Sequence, residues 1–336
     1  MERNAFFDNA KVALIFLVVF GHMIQPFASG SQDINTLYMW IYTFHMPAFI
    51  FLSGFFAKGL GNKDYILKLA KKLLIPYVIF QIIYTAFYYF IGKDSWQTGL
   101  FDPQWSLWFL FSLFSWHMLL YWFKKIPPVL SMAIAVEIGL IVGYFGEIGH
   151  TFSLSRTFVF FPFFLLGYWL KEDHVMLLKT KAAKIISVII MVSVAGAIYF
   201  APEINSGWLL ASKSYGDLGM PEFGGLARLL VYTTSALMAM SVLAWIPKQH
   251  NFLTHLGTRT LYVYLLHGFF IQVFRATDLF EVHNILHLIG LGVIAATIVL
   301  VLSSKPIKVV SQPFVEGKIV TLGGFFSPTN KRTEQN

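Results

Sequence analysis

Long apolar stretches alternate with short polar connections along almost the whole chain. Each stretch holds roughly 15 to 22 residues with few charges, which is the length that a helix needs to cross the hydrocarbon core of a membrane. Ten stretches meet this description, at positions 12–27, 37–57, 73–91, 105–123, 129–145, 157–170, 182–200, 226–246, 260–274 and 285–302. The sixth and the ninth are short for a span and are open to a tilted or re-entrant reading. The pattern predicts an all-α integral membrane protein with about ten transmembrane helices.

The first stretch also has features of a cleavable signal peptide, because small residues follow it at Ala28, Ser29 and Gly30. A histidine inside the apolar run and nine further stretches favour an uncleaved first span. No segment of soluble composition interrupts the spans, so we predict one transmembrane domain over residues 1–326. The last ten residues, 327–336, are polar and lack apolar periodicity, which predicts a disordered tail.

Composition supports the membrane class, and the distribution of charge predicts the orientation of the chain. The chain is 57% hydrophobic and only 12% charged, whereas about a quarter of the residues in soluble domains are charged. When the ten spans are threaded alternately, most of the 25 lysines and arginines fall on the side of the N-terminus. The opposite side keeps Lys93, Arg156, Lys213, Arg228 and Arg275. The positive-inside rule therefore places both termini in the cytoplasm.

Several classes of function are disfavoured by what the sequence lacks. The basic residues are scattered through connections and form no patch with interleaved aromatics, so nucleic acid is not a predicted partner. The chain contains no cysteine, which excludes disulfides, thiolate metal ligands and a cysteine nucleophile. It has no H-E-x-x-H pair, no glycine-rich phosphate loop and no nucleophile-elbow serine. We predict neither a metal site nor a permanently bound cofactor.

Ionisable residues inside the spans are the candidates for chemistry. Lys11 and His22 are eleven residues apart, which places them on one face of a helix about 16 Å apart, and Asp8 lies on nearly the same face. Polar groups at this depth are costly to keep in a membrane and mark sites more often than not. The alternative is that His22 only packs against a neighbouring helix and hydrogen-bonds a carbonyl.

Four more ionisable residues lie within the predicted spans. Counting residues from the membrane boundaries puts His45 at nearly the same level as His22. His117, Glu137 and His267 lie nearer the N-terminal side. Each of these histidines is equally compatible with a purely structural role, but a carboxylate at this depth needs a partner or a proton. Together they predict a polar interior. The aromatic connection at 200–226 either covers a site, lines a sugar-binding cleft or simply joins two spans.

Asp8-x-x-Lys11 followed by His22, and then the run Phe-His-Met-Pro-Ala-Phe-Ile-Phe-Leu-Ser-Gly-Phe-Phe at 44–56, resembles the opening of the membrane acyltransferase 3 family. The most similar branch contains fucose 4-O-acetylase-like proteins and membrane proteins of intercellular-adhesin polysaccharide synthesis. The similarity continues in order through Lys68, Lys71 and Lys72 before Pro76, then 105–110, Arg156 with 161–167, and 256–267.

The resemblance implies a ten-span enzyme of the bacterial plasma membrane. Such an enzyme takes an acyl group, usually acetyl, from cytoplasmic acetyl-CoA and places it on a hydroxyl of an extracytoplasmic glycan or polysaccharide. The key histidine of the family falls on His22. The basic residue eleven positions earlier, arginine in much of the family, falls on Lys11, and lysine lacks the forked geometry that grips a phosphate or carboxylate in two places.

From this we predict His22 as the general base that takes the proton of the glycan hydroxyl, with Asp8 or Glu137 orienting or tuning it. The other candidates, for binding of acyl-CoA or acceptor, are Lys11, His45, Lys68, Lys72, Trp105, Arg156 and His267. Lys68, Lys71 and Lys72 would meet the CoA phosphates, although an ordinary positive-inside anchor explains them equally well.

Two other functions fit the same sequence. An exporter of a glycan or small anion would use a polar interior without bond chemistry. A non-catalytic partner in an envelope polysaccharide synthesis complex would keep the fold and dispense with the base. The sequence also leaves open whether the acyl group is acetyl or succinyl.

Overall fold

The computed structural model describes residues 4–59, 63–92, 99, 101–148, 153–201, 204–277, 282 and 284–317. Within these residues the chain is helical and forms no strand. The α-helices are α1 (Ala5–Ile24), α2 (Gln32–Phe55), α3 (Lys63–Phe90), α4 (Trp108–Phe123), α5 (Pro128–Val142), α6 (Leu154–Trp169), α7 (Glu172–Met176), α8 (Lys181–Phe200), α9 (Gly207–Leu210), α10 (Gly224–Trp245), α11 (Thr260–Ala276), α12 (Ile285–Leu302) and α13 (Lys305–Val315). The predicted all-α class is confirmed, and each of the ten apolar stretches contains a long helix.

Six helical segments among the described residues are long and apolar enough to cross a membrane. They are Ala5–Gly30, Asp64–Phe90, Trp105–Phe123, Lys181–Phe200, Gly224–Trp245 and Ile285–Leu302, while Pro128–Val142 and Leu154–Trp169 are shorter apolar helices. The count of ten spans and the cytoplasmic termini stay predictions. The predicted domain end at residue 326 and the tail 327–336 lie outside the described residues.

Helices α2 and α6 cross closely through two glycines. A Cβ atom added to Gly54 on α2 would overlap the carbonyl oxygen of Phe164, and one added to Gly167 on α6 would overlap the carbonyl oxygen of Phe51. The two backbones are therefore in direct contact. Small residues at such crossings are typical of membrane bundles, in which close backbone approach provides packing that lipid cannot.

Lys179 holds the C-terminal end of α10. Its ammonium group donates to the carbonyl oxygens of Leu243 at 2.6 Å, Ala244 at 3.2 Å and Ile246 at 2.5 Å. The last carbonyls of a helix have no donor within the helix, and a cation there also complements the helix dipole. Burial lowers the pKa of Lys179 to about 8, so the side chain keeps its charge at neutral pH.

Asn9 ties the start of α1 to the connection between α10 and α11. Its amide nitrogen donates to the carbonyl oxygens of Pro247 at 2.9 Å and Gln249 at 3.0 Å, and its amide oxygen accepts from the hydroxyl of Thr254 at 2.6 Å. Asn9 is buried, so these bonds satisfy a polar group that would otherwise be costly to desolvate. They fix the height of α1 relative to the turn that precedes α11.

The aromatic connection between α8 and α10 is folded against the bundle. Tyr215 is fully buried, its backbone N–H donates to the carbonyl of Gly143 at 2.7 Å, and its hydroxyl donates to the carbonyl of Leu140 at 2.9 Å. The indole of Trp208 stacks on the Tyr215 ring at 5.5 Å. These contacts hold α9, which lies within this connection, against α2 and α10. The connection is therefore a packed part of the fold.

Candidate active site

His22 lies near the C-terminal end of α1, surrounded by aromatic rings. Its Nδ1 atom is 3.2 Å from the hydroxyl of Tyr42 on α2. The ring centroid lies 4.5 Å from that of Trp105 and 5.8 Å from that of His267 on α11. The side chain is only partly buried. Three different segments therefore position one imidazole that keeps an open side.

Trp105 adopts a strained backbone conformation to reach this place. Its φ angle of +40° lies in the left-handed region, which bulky residues rarely occupy and which persists where the surroundings enforce it. The indole packs against both His22 and His267, at 4.5 Å and 5.1 Å between centroids. A Cβ atom on Gly268 would lie 2.6 Å from the indole Cζ3 atom. The absence of a side chain at Gly268 thus makes room for Trp105.

His45 contacts the same tyrosine as His22. Its ring centroid is 4.4 Å from that of Tyr42, and the ring of Tyr42 is in turn 6.2 Å from that of His22. The two predicted imidazoles thus reach the same tyrosine. His45 is 3% exposed, and its Nδ1–H donates to the carbonyl of Ile41 at 2.9 Å. His45 is therefore a buried neighbour of Tyr42 that lines neither cavity.

A cavity of about 480 Å³ extends from the end of the bundle that holds the N-terminus of α1 up to His22. We call it the N-side cavity. Its walls are mostly apolar, for example Ile15, Val18 and Phe49. Lys11 and Lys72 line it as well. Lys11 lies on α1 eleven residues before His22, so the cavity spans roughly 16 Å between a cationic end and an imidazole end.

A second cavity of about 860 Å³ opens at the opposite end of the bundle. We call it the far-side cavity. Amide and hydroxyl side chains dominate its lining, which includes Gln25, Ser29, Ser31, Gln32, Asn35, Thr36, Tyr38 and Ser206. Ile204 and Ser206 come from the connection between α8 and α10. Of the three roles open to that connection, its position favours the lining of a cleft.

A layer of side chains separates His22 from the far-side cavity. The amide nitrogen of Gln25, one helical turn after His22, donates to the hydroxyl of Tyr38 at 3.2 Å. The rings of Tyr38 and Tyr42 are 4.1 Å apart, and Tyr42 contacts His22 directly. The two cavities thus approach each other across His22, Tyr42 and the floor formed by Gln25 and Tyr38.

Arg275 is a functional candidate that sequence reasoning missed. Its Nη2 atom donates to the carbonyl oxygen of His22 at 2.9 Å and to the side-chain oxygen of Gln25 at 2.6 Å. The guanidinium carbon lies 5.9 Å from the Trp105 ring. A cation at the end of α1 satisfies a free carbonyl and complements the helix dipole. The signal in the sequence was an arginine eight residues after His267 on one apolar helix face.

Asp8 and Lys11 form an ion pair at the other end of α1, with Nζ 3.3 Å from Oδ1. Asp8 is 3% exposed. The ammonium of Lys11 also lies 4.7 Å from the centroid of the Phe56 ring. Asp8 is about 21 Å along the helix from His22, so its direct partner is Lys11 and not the imidazole. The predicted orienting role at His22 therefore has no support from this placement.

His267 occupies a different place from the one expected of a substrate-binding residue. It is 0% exposed and does not line either cavity. Its Nδ1–H donates to the carbonyls of Tyr264 at 2.7 Å and Val263 at 3.0 Å. This leaves Nε2 as an acceptor, and Nε2 has no hydrogen-bond partner among the described residues. His267 is thus packed against His22 and Trp105 and has no contact with either cavity.

The remaining predicted residues are distributed around the cavity and outside it. Glu137 lies on the exposed face of α5 and does not line either cavity, so the structure separates this carboxylate from His22. Arg156 donates from Nε to the carbonyl of Leu210 at 3.2 Å and stacks over Trp108 at 5.0 Å. Lys68 is exposed, one turn before Lys72.

His117 also lines the N-side cavity, although its place among the candidates was open. Its Nδ1–H donates to the carbonyl of Leu113 at 2.8 Å, and its ring lies 6.2 Å from that of Tyr65 at the cavity wall. Among the residues that the structure describes, no group of three or more histidines and acids is placed to hold a metal ion.

Comparison with known proteins agrees with this architecture. A family model described as the acyltransferase domain matches residues 4–304. The nodulation protein NolL of Sinorhizobium fredii is 27% identical over 316 residues, covering 83% of this chain and 80% of that protein. The NolL protein of Mesorhizobium japonicum is 24% identical over 319 residues, covering 83% of this chain and 79% of that protein. No solved structure matches this chain with significant similarity.

Proposed function

Because this chain belongs to the acyltransferase 3 family, whose domain spans residues 4–304, we propose that it moves an acyl group from acyl-CoA across the membrane to a hydroxyl of a glycan. Acetyl is the acyl group that we propose. One observation carries the proposal: His22 closes the inner end of the N-side cavity, and the far-side cavity ends one side-chain layer away. Such an arrangement brings a donor and an acceptor toward one imidazole from opposite sides, with only the layer of Gln25, Tyr38 and Tyr42 between the acceptor and His22.

The N-side cavity suits the acyl-CoA donor. Its apolar walls fit an acyl chain on its thioester arm, and Lys11 and Lys72 offer positive charge to the anionic part of the molecule. Exposed Lys68 adds to this charge near the opening. Since the lysine-rich side of a membrane protein faces the cytoplasm, acyl-CoA would enter from there. The protein would lie in the plasma membrane of a bacterium, as the two relatives come from bacteria.

The reaction needs one base and no permanently bound cofactor. The acceptor oxygen attacks the thioester carbonyl carbon, the C–S bond breaks, and an ester and a thiolate form. His22 takes the hydroxyl proton during the attack and returns it to the thiolate, so that CoA leaves as the thiol. For Nε2 to act as the base, Nδ1 must carry the other proton and donate it to the hydroxyl oxygen of Tyr42.

His267 is proposed as a positioning residue for His22. Once His22 has taken the proton, its imidazolium carries a positive charge, which a lone pair in a neighbouring ring stabilises electrostatically. The Nε2 atom of His267 has a free lone pair, lies in a ring 5.8 Å from that of His22, and has no other partner among the described residues. No carboxylate is needed for this task, which agrees with the distance of Asp8 and Glu137 from the site.

Two substitutions at His267 separate this role from simple packing. The amide nitrogen of asparagine replaces Nδ1, whereas the amide oxygen of glutamine replaces the Nε2 acceptor. We expect His267→Asn to lower kcat about 10- to 100-fold, the size of the interaction of one polar group with a charge, with KM for both substrates unchanged. His267→Gln should keep most of the rate. Equal losses in both variants, or full activity of His267→Asn, would contradict the assignment.

One experiment with two labels distinguishes an acyltransferase function from an exporter function. Purified protein in liposomes is supplied with acetyl-labelled acetyl-CoA on one side and a fluorescent oligosaccharide on the other. We expect acetyl label on the oligosaccharide in an alkali-labile ester, with no passage of the intact oligosaccharide. Flux of unmodified oligosaccharide without label transfer would establish the exporter, and neither event would favour the non-catalytic partner of a polysaccharide complex.

A further inference from the structure

The chemical character of the far-side cavity limits which acceptors it can bind. We propose that it binds an uncharged saccharide and discriminates against one that carries a carboxylate or a phosphate. This inference rests on the proposed function, in which the acceptor enters by that cavity. It goes further because it names the charge state of the sugar that reaches His22.

The described lining of the far-side cavity is polar but holds no lysine, arginine, aspartate or glutamate. Amides and hydroxyls both donate and accept hydrogen bonds, as sugar hydroxyls do. Asn35 is the side chain with most capacity for a ligand, because its amide has no hydrogen-bond partner among the described residues. Gln32 and Thr36, by contrast, already donate to the carbonyls of Tyr199 at 2.7 Å and Gln32 at 2.8 Å.

Arg275 is a positive charge directly behind Gln25 at the cavity floor, and its guanidinium is bonded to other partners. Its Nη2 atom is bonded to the carbonyl of His22 and to the side-chain oxygen of Gln25, and Arg275 does not line the cavity. An acceptor at the cavity floor would therefore meet Gln25 and Tyr38 before the guanidinium. Gln25 shields the cation while its own amide nitrogen donates to Tyr38.

This lining would select against a charged sugar because it offers no counter-charge to a carboxylate or a phosphate. Transfer of an ionised group from water into a site that lacks a counter-charge is costly, and unpaired polar groups give the strongest discrimination between similar substrates. A neutral sugar would exchange its bonds with water for bonds with Asn35 and the neighbouring hydroxyls. A uronate would have to keep its carboxylate in water, which would hold its hydroxyls away from His22.

A uronic acid oligosaccharide and its methyl ester test this directly, because they share one skeleton and differ by one charge. We expect the unmodified protein to acetylate the ester with a kcat/KM at least about tenfold higher than the acid, a difference of about 1.4 kcal/mol. Equal use of both compounds, or preference for the acid, would overturn the inference. Failure to label any acceptor would instead count against the proposed acyl transfer.

A charge placed in the cavity provides an independent measurement. Asn35→Lys should raise the kcat/KM for the acid relative to the ester, with KM for acetyl-CoA unchanged. Asp33→Asn alters charge by the same amount two residues away on the exposed start of α2, outside the lining, and should leave the ratio as it was. If Asn35→Lys folds and the ratio stays constant, the far-side cavity is not the acceptor site.

Discussion

Replacement of His22 by glutamine is expected to reduce acetyl transfer by about 10²- to 10⁴-fold, the usual contribution of a general base. Glutamine has a similar length and places its amide near the position of Nε2, so the packing of α1 against α2 is retained although the Nδ1 contact with Tyr42 is lost. It cannot accept a proton at neutral pH. The acceptor hydroxyl would then have to attack the thioester without losing its proton, and that step is slow because a protonated hydroxyl is a poor nucleophile.

The measurement is initial-rate transfer of labelled acetyl, together with acetyl-CoA binding by calorimetry. Binding should be nearly unchanged in His22→Gln, because the cationic end of the N-side cavity lies about 16 Å away along α1. His45→Gln is the matched control, since His45 also contacts Tyr42 but lines neither cavity. A His22→Gln protein that keeps half of the rate or more would refute the proposed base.

The second large effect concerns the crossing of α2 and α6. Substitution of Gly54 or Gly167 by alanine should prevent accumulation of folded protein. The added methyl group would occupy the position of a backbone carbonyl oxygen on the facing helix, and a backbone cannot rotate away as a flexible side chain can. Overpacking of a core typically costs 1–3 kcal/mol. A clash with main chain on both sides of the crossing should reach at least about 3 kcal/mol.

Thermal unfolding in detergent, followed by size-exclusion chromatography, would show this loss. Gly196 on α8 and Gly290 on α12 provide matched controls, because a Cβ atom added to either meets nothing within 4 Å. Alanine there should be neutral or stabilise the helix by up to about 1 kcal/mol. If Gly54→Ala melts at the same temperature as these controls, the two helices do not cross as closely as described.

Sequence reasoning found the helices because apolar length is a local property. Each of the ten predicted stretches contains one long helix, and the ends agree within a few residues except at the start of α1 and α3. The first apolar stretch starts at residue 12, seven residues after α1 begins, because Asp8, Asn9 and Lys11 are polar. In the fold Asp8 and Asn9 are buried by an ion pair and by the turn before α11, so polar residues continue the helix.

The candidate site was only partly predictable from the sequence, because the sequence does not give the direction in which a side chain points. Four predicted residues either line the N-side cavity or contact His22: His22 itself, Lys11, Lys72 and Trp105. Each of them interrupts an apolar run or belongs to a family motif. Glu137 was chosen by the same reasoning, yet it faces outward from α5. Depth along a helix is readable from sequence, whereas the direction in which a side chain points depends on which neighbours surround that helix.

The sequence by itself determined the membrane class, the helices, the family and the histidine at mid-depth. Hydrophobic length and motif order are properties of consecutive residues, so they can be read without knowing how the helices pack. The tertiary structure alone decided that Arg275 and Gln25 meet the end of α1 and that Gly54 faces Gly167. It also decided that two cavities end on opposite sides of His22. These features join residues from distant parts of the chain, and their distances follow from how the helices pack and not from any local pattern.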